Sequence, residues 1–173
     1  MRLNIIGKSR TWVDAPYDDT PTWGITQLYL KRNVTMVIDM NVYDDGRWGE
    51  LEKKEAEAVR GLCACNGVTV VDLESYPITD VIERFDTDYF SSTVDYAIAL
   101  ALYKGYTDIH LYGCTMSADT DYYKHKCGCD FWCGYAKGIG AKVTVHGATT
   151  IMKTVDGLIY GYDRPQDRDR ASE

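Results

Sequence analysis

Short apolar runs and helix-forming segments alternate along this 173-residue chain from one end to the other. Residues 3–6, 35–40 and 68–73 are rich in aliphatic and β-branched side chains and are nearly continuous in hydrophobicity. Such runs are typical of parallel strands that are covered on both faces, whereas a strand with one wet face alternates. The pattern therefore predicts an α/β protein, a three-layer Rossmann-like fold with a mostly parallel sheet covered by helices on both faces.

The remaining segments fit the same plan. Further strands are predicted at residues 23–26, 108–112 and 141–145, and helices at residues 27–31, 50–65, 78–85 and 93–104 and within 119–138. The helix at 93–104 has the clearest signals, because Ser92 and Asp95 have the spacing of a capping box and Gly105 ends the apolar run. We expect residues 1–163 to form a single Rossmann-like domain, with its last ordered piece at 158–162, and residues 164–173 to form a polar tail.

Charge limits the partners. The chain carries 19 basic and 26 acidic residues, a formal charge of −7. A negative field repels nucleic-acid backbones and anionic lipid, and no apolar run approaches the roughly 20 residues that span a bilayer. We expect no DNA or RNA partner, no membrane partner and a cytoplasmic location, while a local basic pocket can still hold a small anion. A homo-oligomer is left open.

Six cysteines raise the question of a metal. Cys127, Cys129 and Cys133 lie within seven residues, but a C-x-C start does not match the paired knuckles of structural zinc sites. We expect free thiols and neither a metal nor a cofactor, with zinc at this cluster as the alternative.

Ligands of open parallel sheets bind beyond the carboxyl ends of the strands, where the strand order reverses. The segments that should reach that edge are Gly7-Lys8-Ser9-Arg10, Thr26-Gln27, Asp39-Met40-Asn41 and Ser91-Ser92, with Gly113 closing a later strand. Lys8 and Arg10 offer positive charge to a phosphate or carboxylate, and a strand-ending turn with solvated charges is the alternative reading. Among the three histidines, His125 is the candidate acid or base, since it precedes a predicted helix near the Gly113 edge.

A longer block is more specific. Residues 90–113 read Phe-Ser-Ser-Thr-Val-Asp, then Ile-Ala-Leu-Ala-Leu-Tyr-Lys-Gly-Tyr-Thr-Asp-Ile-His-Leu-Tyr-Gly. This block resembles one found in a Rossmann-like superfamily that includes the bacterial single-domain sialyltransferases and the archaeal 6-hydroxymethylpterin diphosphokinase family. The first loop and the segment at 24–27 resemble the same proteins, and small bacteriophage proteins look most similar.

The resemblance implies a nucleotide cleft. In the sialyltransferases the corresponding positions bind the cytidine nucleotide of the donor, which carries over to Gly7, Ser9, Gln27, Asn41, Ser91 and Ser92. Their catalytic histidine stands five residues before an aspartate, as His125 stands before Asp130 here. Lys8 and Arg10 depart from the family pattern and favour a phosphate-rich ligand.

Two functions follow from this resemblance. The first is a phage-type nucleotide-binding protein that sequesters a small signalling nucleotide of the host, an anti-defence role in the host cytoplasm. The alternative is a sialyltransferase-like enzyme that transfers a glycosyl or phosphoryl group from a nucleotide or nucleotide-sugar donor, with His125 as base.

Overall fold

A computed structural model describes residues 1–43, 46–117, 121–154, 158–159 and 162. Six strands form one sheet: β1 (Arg2–Ile6), β2 (Thr22–Ile25), β3 (Met36–Asp39), β4 (Thr69–Asp72), β5 (Asp108–Tyr112) and β6 (Lys142–Val145). Every neighbouring pair is parallel, in the order β4-β3-β2-β1-β5-β6.

Helices cover both faces of this sheet. The α-helices are α1 (Glu50–Cys65), α2 (Ile78–Phe85), α3 (Thr93–Tyr103) and α4 (Lys126–Gly138), and short 3-10 helices occupy Arg10–Asp14, Thr26–Leu30 and Asp121–His125. One core joins the sheet to α2, α3 and α4, and a second joins it to α1 and to the 3-10 helix after β2. The three-layer α/β prediction is confirmed. Among the described residues, no helix is both long and apolar enough to cross a membrane.

The last ordered piece predicted from the sequence, at residues 158–162, is described only in part. Leu158 and Ile159 adopt no regular structure, residues 160–161 lie outside the described part of the chain, and Tyr162 lies in a turn. The predicted tail at 164–173 also lies outside the described residues. The division into one domain at 1–163 and a tail therefore stays a prediction.

Helix α3 lies across the middle of the sheet and packs against β1, β2 and β3. Residues 97–101 of this helix, Ala-Ile-Ala-Leu-Ala, are all buried. The small alanines permit close approach to the strands, while Ile98 and Leu100 each contribute roughly 1.5–3 kcal/mol through burial. Because this packing fixes the helix along its length, the start of α3 is held at the carboxyl edge of the sheet.

The strand order reverses between β1 and β5, and there the backbone closes the sheet edge. The Gly7 amide donates to the Tyr112 carbonyl at 2.8 Å, and the Ser9 amide donates to the Gly113 carbonyl at 3.1 Å. A Cβ atom on Gly7 would lie 2.5 Å from the Gly113 oxygen, and one on Gly113 would lie 2.6 Å from the Gly7 oxygen. Only glycine fits at these two positions, and the crevice expected between β1 and β5 is filled by main chain.

Two histidines pair at the edge of the sheet, His110 on β5 and His146 directly after β6. His110 Nδ1 lies 2.8 Å from His146 Nε2, and His110 Nε2 lies 3.1 Å from an Asp108 oxygen. The Tyr112 ring stacks on His146 at 4.1 Å. A hydrogen bond between two imidazoles needs one nitrogen without a proton, so at least one of the two rings is neutral. Burial lowers the pKa of His146, and the nearby His110 lowers it further.

This pair predicts a loss of stability in mild acid. An unfolded histidine titrates near its ordinary pKa of 6.5, whereas folded His146 resists protonation. As pH falls through that value, the unfolded chain takes up a proton that the folded chain does not, so the free energy of unfolding decreases. We expect urea denaturation to show less stability at pH 5.5 than at pH 7.5, and a smaller difference in His146→Phe, which keeps a ring against Tyr112. An equal difference in both proteins would contradict this assignment.

Candidate functional site

A central cavity of about 270 Å³ opens at the carboxyl edge of the sheet, over the ends of β1, β2 and β3. It is bounded by the start of α3 on one side and by the loop before α1 on the other. Its polar lining consists of Lys8, Thr26, Asn41, Arg47, Trp48, Ser91, Ser92, Thr93 and His125, and its apolar lining of Ile25, Met40, Val94, Tyr96 and Met116, with the Tyr96 hydroxyl as a polar tip. Thus four separately predicted segments meet around one space.

A side cavity of about 350 Å³ adjoins the central one, and Lys8 and Trp48 line both. Its other lining residues come from the 3-10 helix after β2 and from the first turns of α1: Gln27, Leu28, Leu30, Lys31, Glu52 and Glu55. Small-molecule sites usually enclose roughly 300–1,000 Å³. The central cavity alone lies just below that range, and the two cavities together fall inside it.

A larger groove of about 580 Å³ lies at the opposite edge, beside Met1, Arg2 and Tyr106. It is open and shallow, and it lies at the amino ends of the strands. Ligands of parallel sheets bind at the carboxyl ends, where helix starts and loops converge. The central cavity is therefore the candidate site.

The start of α3 is organised by Asp95, whose side chain is completely buried. Its carboxylate accepts five hydrogen bonds: from the amides of Ser91 and Ser92, from both serine hydroxyls and from the Cys129 thiol, at 2.7–3.0 Å. Both serine hydroxyls thus donate their hydrogens inward, toward the Asp95 carboxylate or, for Ser91, the nearby His125 carbonyl at 3.1 Å. Because each hydroxyl has only one hydrogen, the serines offer a ligand lone pairs rather than donors.

This arrangement changes what the helix start can bind. Helix N-termini usually attract anions through free amides and the helix dipole. Here the Asp95 carboxylate already takes the amides of Ser91 and Ser92, so Thr93 and Val94, which also line the cavity, carry the remaining amides of the first turn. A second full negative charge at this point would be repelled by Asp95. The α3 end of the cavity therefore suits a neutral group that donates hydrogen bonds.

Asn41 extends the same acceptor character to the end of β3. Its amide nitrogen donates to Asp39 Oδ1 at 2.8 Å. Because a carboxylate oxygen only accepts hydrogen bonds, the Asn41 side chain must turn its nitrogen, and not its oxygen, toward Asp39. The Tyr43 hydroxyl also donates to Asp39, at 3.0 Å. Burial raises the pKa of Tyr43 to about 12, with the Asp39 charge adding to the effect, so this phenol stays a donor. The Asn41 side-chain oxygen is left as the group that a ligand can reach.

Lys8 supplies positive charge where the two cavities meet. Its ammonium donates to Gln27 Oε1 at 3.3 Å. Partial removal of the ammonium from water lowers the pKa of Lys8, while the charges of Asp39, Glu55 and Glu52 oppose that shift. These three carboxylates therefore favour the charged form of Lys8, whereas the neighbouring Lys31 disfavours it.

Two residues of the cavity wall have strained backbones. Thr26 has φ +51° and Met116 has φ +46°, in the left-handed region that side chains other than glycine rarely adopt. For the β-branched Thr26 this conformation is especially costly. Strain of this kind persists where surrounding structure enforces it, and it clusters at binding sites. Its presence at two lining positions supports the choice of this cavity.

His125 reaches the cavity from the residue before α4. In the described part of the chain, no carboxylate hydrogen-bonds its imidazole. Asp130, five residues on, instead accepts from Lys126 and from the Met152 amide at 2.6 Å. The spacing that the resemblance singled out therefore does not produce a histidine–aspartate pair here.

The structure brings Lys8, Asn41, Ser91, Ser92 and His125 together at the central cavity, and it places Gln27 in the side cavity. The other predicted contacts lie outside both linings. Gly7 and Gly113 hold the two loops together, and Ser9 bonds the loop after β5, with its hydroxyl 3.0 Å from that of Thr115. Arg10 begins a 3-10 helix and is exposed. The 3-10 helix starts immediately after Ser9 and carries Arg10 away from the edge.

Trp48, Arg47, Tyr96 and Met116 also line the cavity, and sequence reasoning missed them. Trp48 had a usable signal, since a large aromatic residue between Gly46 and Gly49 lies in the loop that follows β3 at the ligand edge. Its indole N–H is buried and has no hydrogen-bond partner within the described structure. Met116 had no such signal, because its conformation depends on the fold of the loop after β5.

The three clustered cysteines all lie on α4 but differ in burial. Cys129 and Cys133 are buried one turn apart, whereas Cys127 is exposed. Burial raises the pKa of Cys129 and of Cys133, and for Cys129 the Asp95 charge raises it further, so both remain thiols. Within the described ranges, no group of three or more His, Cys, Asp or Glu side chains could hold a metal ion.

No protein-family model matches this sequence, and no curated protein matches it either. Among solved structures, the chain is similar to the sialyltransferase CST-II in complex with a trisaccharide acceptor and CMP, with 13% identity over 84% of this chain and 80% of that one and a TM-score of 0.42. It is also similar to CstII from Campylobacter jejuni in complex with the substrate analogue CMP-3FNeuAc, with 11% identity, 83% and 79% coverage and a TM-score of 0.42. At this identity the similarity is one of fold, which the six parallel strands already define.

Asp95→Asn tests how the site is held. An asparagine points two N–H donors at groups that are themselves donors, which leaves several buried polar groups unpaired. We expect the free energy of unfolding to fall by about 3 kcal/mol, seen as a melting temperature lower by about 6–12 °C. Asp88→Asn, an exposed aspartate in the loop before α3, is the matched control and should change it by less than about 0.5 kcal/mol. A loss below about 1 kcal/mol in Asp95→Asn would contradict the organising role.

Proposed function

We propose that this protein binds a nucleotide in the central cavity, with the nucleoside against Asn41, Ser91 and Ser92 and the phosphate near Lys8. The observation that carries the proposal is the arrangement of polar groups. Acceptors that are fixed by Asp39 and Asp95 line one end, and the Lys8 ammonium and the unpaired Trp48 N–H lie at the other. A nucleoside has hydroxyl and amino donors, and a phosphate has only acceptors, so a nucleotide matches both ends at once.

Binding without turnover is the form of this function that the site favours. The groups that recognise a ligand are held by buried hydrogen bonds, whereas His125 has no carboxylate partner in the described structure to orient its ring. Sequestration of a small signalling nucleotide, as inferred from the sequence, is binding of this kind. It predicts that ligand recovered from denatured protein is chemically unchanged.

Lys8→Gln tests the position of the phosphate. Removal of a charged hydrogen bond to phosphate should weaken binding of a nucleoside monophosphate about tenfold or more, measured by calorimetry with CMP, UMP, AMP and GMP. The matched control is Arg10→Gln, which removes the same charge two residues away but outside both cavities, and it should change affinity less than twofold. Equal loss in both variants would mean that the phosphate is attracted only by the general field of the loop.

Transfer from a nucleotide donor is the second candidate function, and the observation that favours it is the presence of His125 in the cavity wall. If His125 acts as general base, His125→Ala abolishes release of CMP from a CMP-sugar donor and leaves CMP affinity within about twofold. Chromatography of the reaction mixture measures the first quantity and calorimetry the second. Full activity in the variant would exclude the histidine, and an unaltered donor with the wild-type protein would exclude transfer from that donor.

A further inference from the structure

The two joined cavities differ in charge. Lys8 and Arg47 are the cations that line the central cavity, and the buried Asp95 carboxylate lies behind its α3 end. Beyond Lys8, the side cavity presents Glu52 and Glu55, which are one turn apart on α1 and both half-buried. A phosphate held at the central cations would therefore have carboxylates on its side-cavity side.

The placement of Glu52 and Glu55 is set by the start of α1. Residues three apart on a helix share one face, so both side chains point toward the side cavity. A Cβ atom on Gly49 would lie 2.8 Å from a Glu52 carboxylate oxygen, which shows that this carboxylate lies over the first residue before the helix, next to Trp48. The negative charges of both glutamates also favour the charged form of Lys8, since they oppose the lowering of its pKa.

Lys31 is a further cation of the side cavity. Two lysines and two glutamates therefore line it, and together they provide no net positive charge to a second or third phosphate. A phosphate chain that extended beyond Lys8 would bring its charges next to Glu52 and Glu55 in a partly enclosed space, where Coulomb repulsion is stronger than in bulk water. Specificity often arises from repulsion of this kind.

We propose that the site selects ligands with a single phosphate, either a nucleoside monophosphate or a phosphodiester whose second substituent is uncharged or donates hydrogen bonds, and that Glu52 and Glu55 reject di- and triphosphates. This inference rests on the proposed function. It replaces the phosphate-rich ligand that Lys8 and Arg10 suggested in the sequence, because Arg10 lines neither cavity and the side cavity beyond Lys8 presents Glu52 and Glu55.

The test is a phosphate series on one base. Calorimetry at low salt and without divalent metal compares CMP, CDP and CTP, then AMP, ADP and ATP, on the wild-type chain. We expect each triphosphate to bind at least tenfold more weakly than its monophosphate. In the double variant Glu52→Gln/Glu55→Gln this gap, taken as the ratio of monophosphate to triphosphate affinity, should shrink at least threefold. Glu57→Gln, an exposed glutamate on the same helix, is the control for charge and should leave the gap unchanged.

The outcomes separate the two proposals. Triphosphates that bind as tightly as monophosphates, or a gap that is the same in the double variant and the control, would overturn the charge selection and leave nucleotide binding in place. If neither the nucleotides nor cytidine and adenosine bind, the proposed function itself is wrong. The wild-type series remains decisive if the double variant does not fold, because a triphosphate preference alone refutes the inference.

Discussion

The buried carboxylate of Asp95 is the interaction on which the rest of the site depends. It joins three pieces of chain: the loop that carries Ser91 and Ser92, the first turn of α3, and Cys129 on α4. Gly128 is part of the same joint, since a Cβ atom there would lie 2.2 Å from the Asp95 carboxylate. A larger residue would force α4 away from α3 and would move His125 with it.

The same carboxylate decides the polarity of the cavity. A buried charge is tolerated only when it is well solvated by hydrogen bonds, and here that solvation uses the amides and hydroxyl hydrogens of Ser91 and Ser92. What these two serines offer a ligand is a set of lone pairs, and Asp39 has the same effect on Asn41 at the end of β3. Structural stability and ligand preference at this edge thus have one cause, the need to satisfy two buried carboxylates.

The sequence predicted the fold well because each strand carries its own local signal. The capping box at Ser92 and Asp95 was also predictable, since it depends on residues three apart. The further partners of Asp95 were not, because Cys129 is 34 positions away and meets it only after α3 and α4 pack together. The local sequence pattern therefore predicted the start of α3, whereas the remaining contacts of Asp95 depend on tertiary packing.

The charge environment of Lys8 shows the same division. The loop after β1 could be placed at the ligand edge from the strand pattern alone, and Lys8 does lie there. That Glu52 and Glu55 would lie beside it depends on how the crossover from β3 brings the first turn of α1 back toward β1, which no local pattern encodes. Arg10 was grouped with Lys8 only because it is close in sequence, and the 3-10 helix that begins at Arg10 separates the two.

His125 illustrates the step from a binding site to a catalytic one. A general base needs its ring fixed by a second group, so that the correct nitrogen faces the proton to be removed. In the described structure it is the backbone carbonyl of His125 that is anchored, through Ser91, whereas Asp130 is occupied with Lys126 and Met152. Position alone therefore makes His125 a cavity-lining residue, and catalysis would require a ligand or an acceptor to supply the orientation that the protein does not.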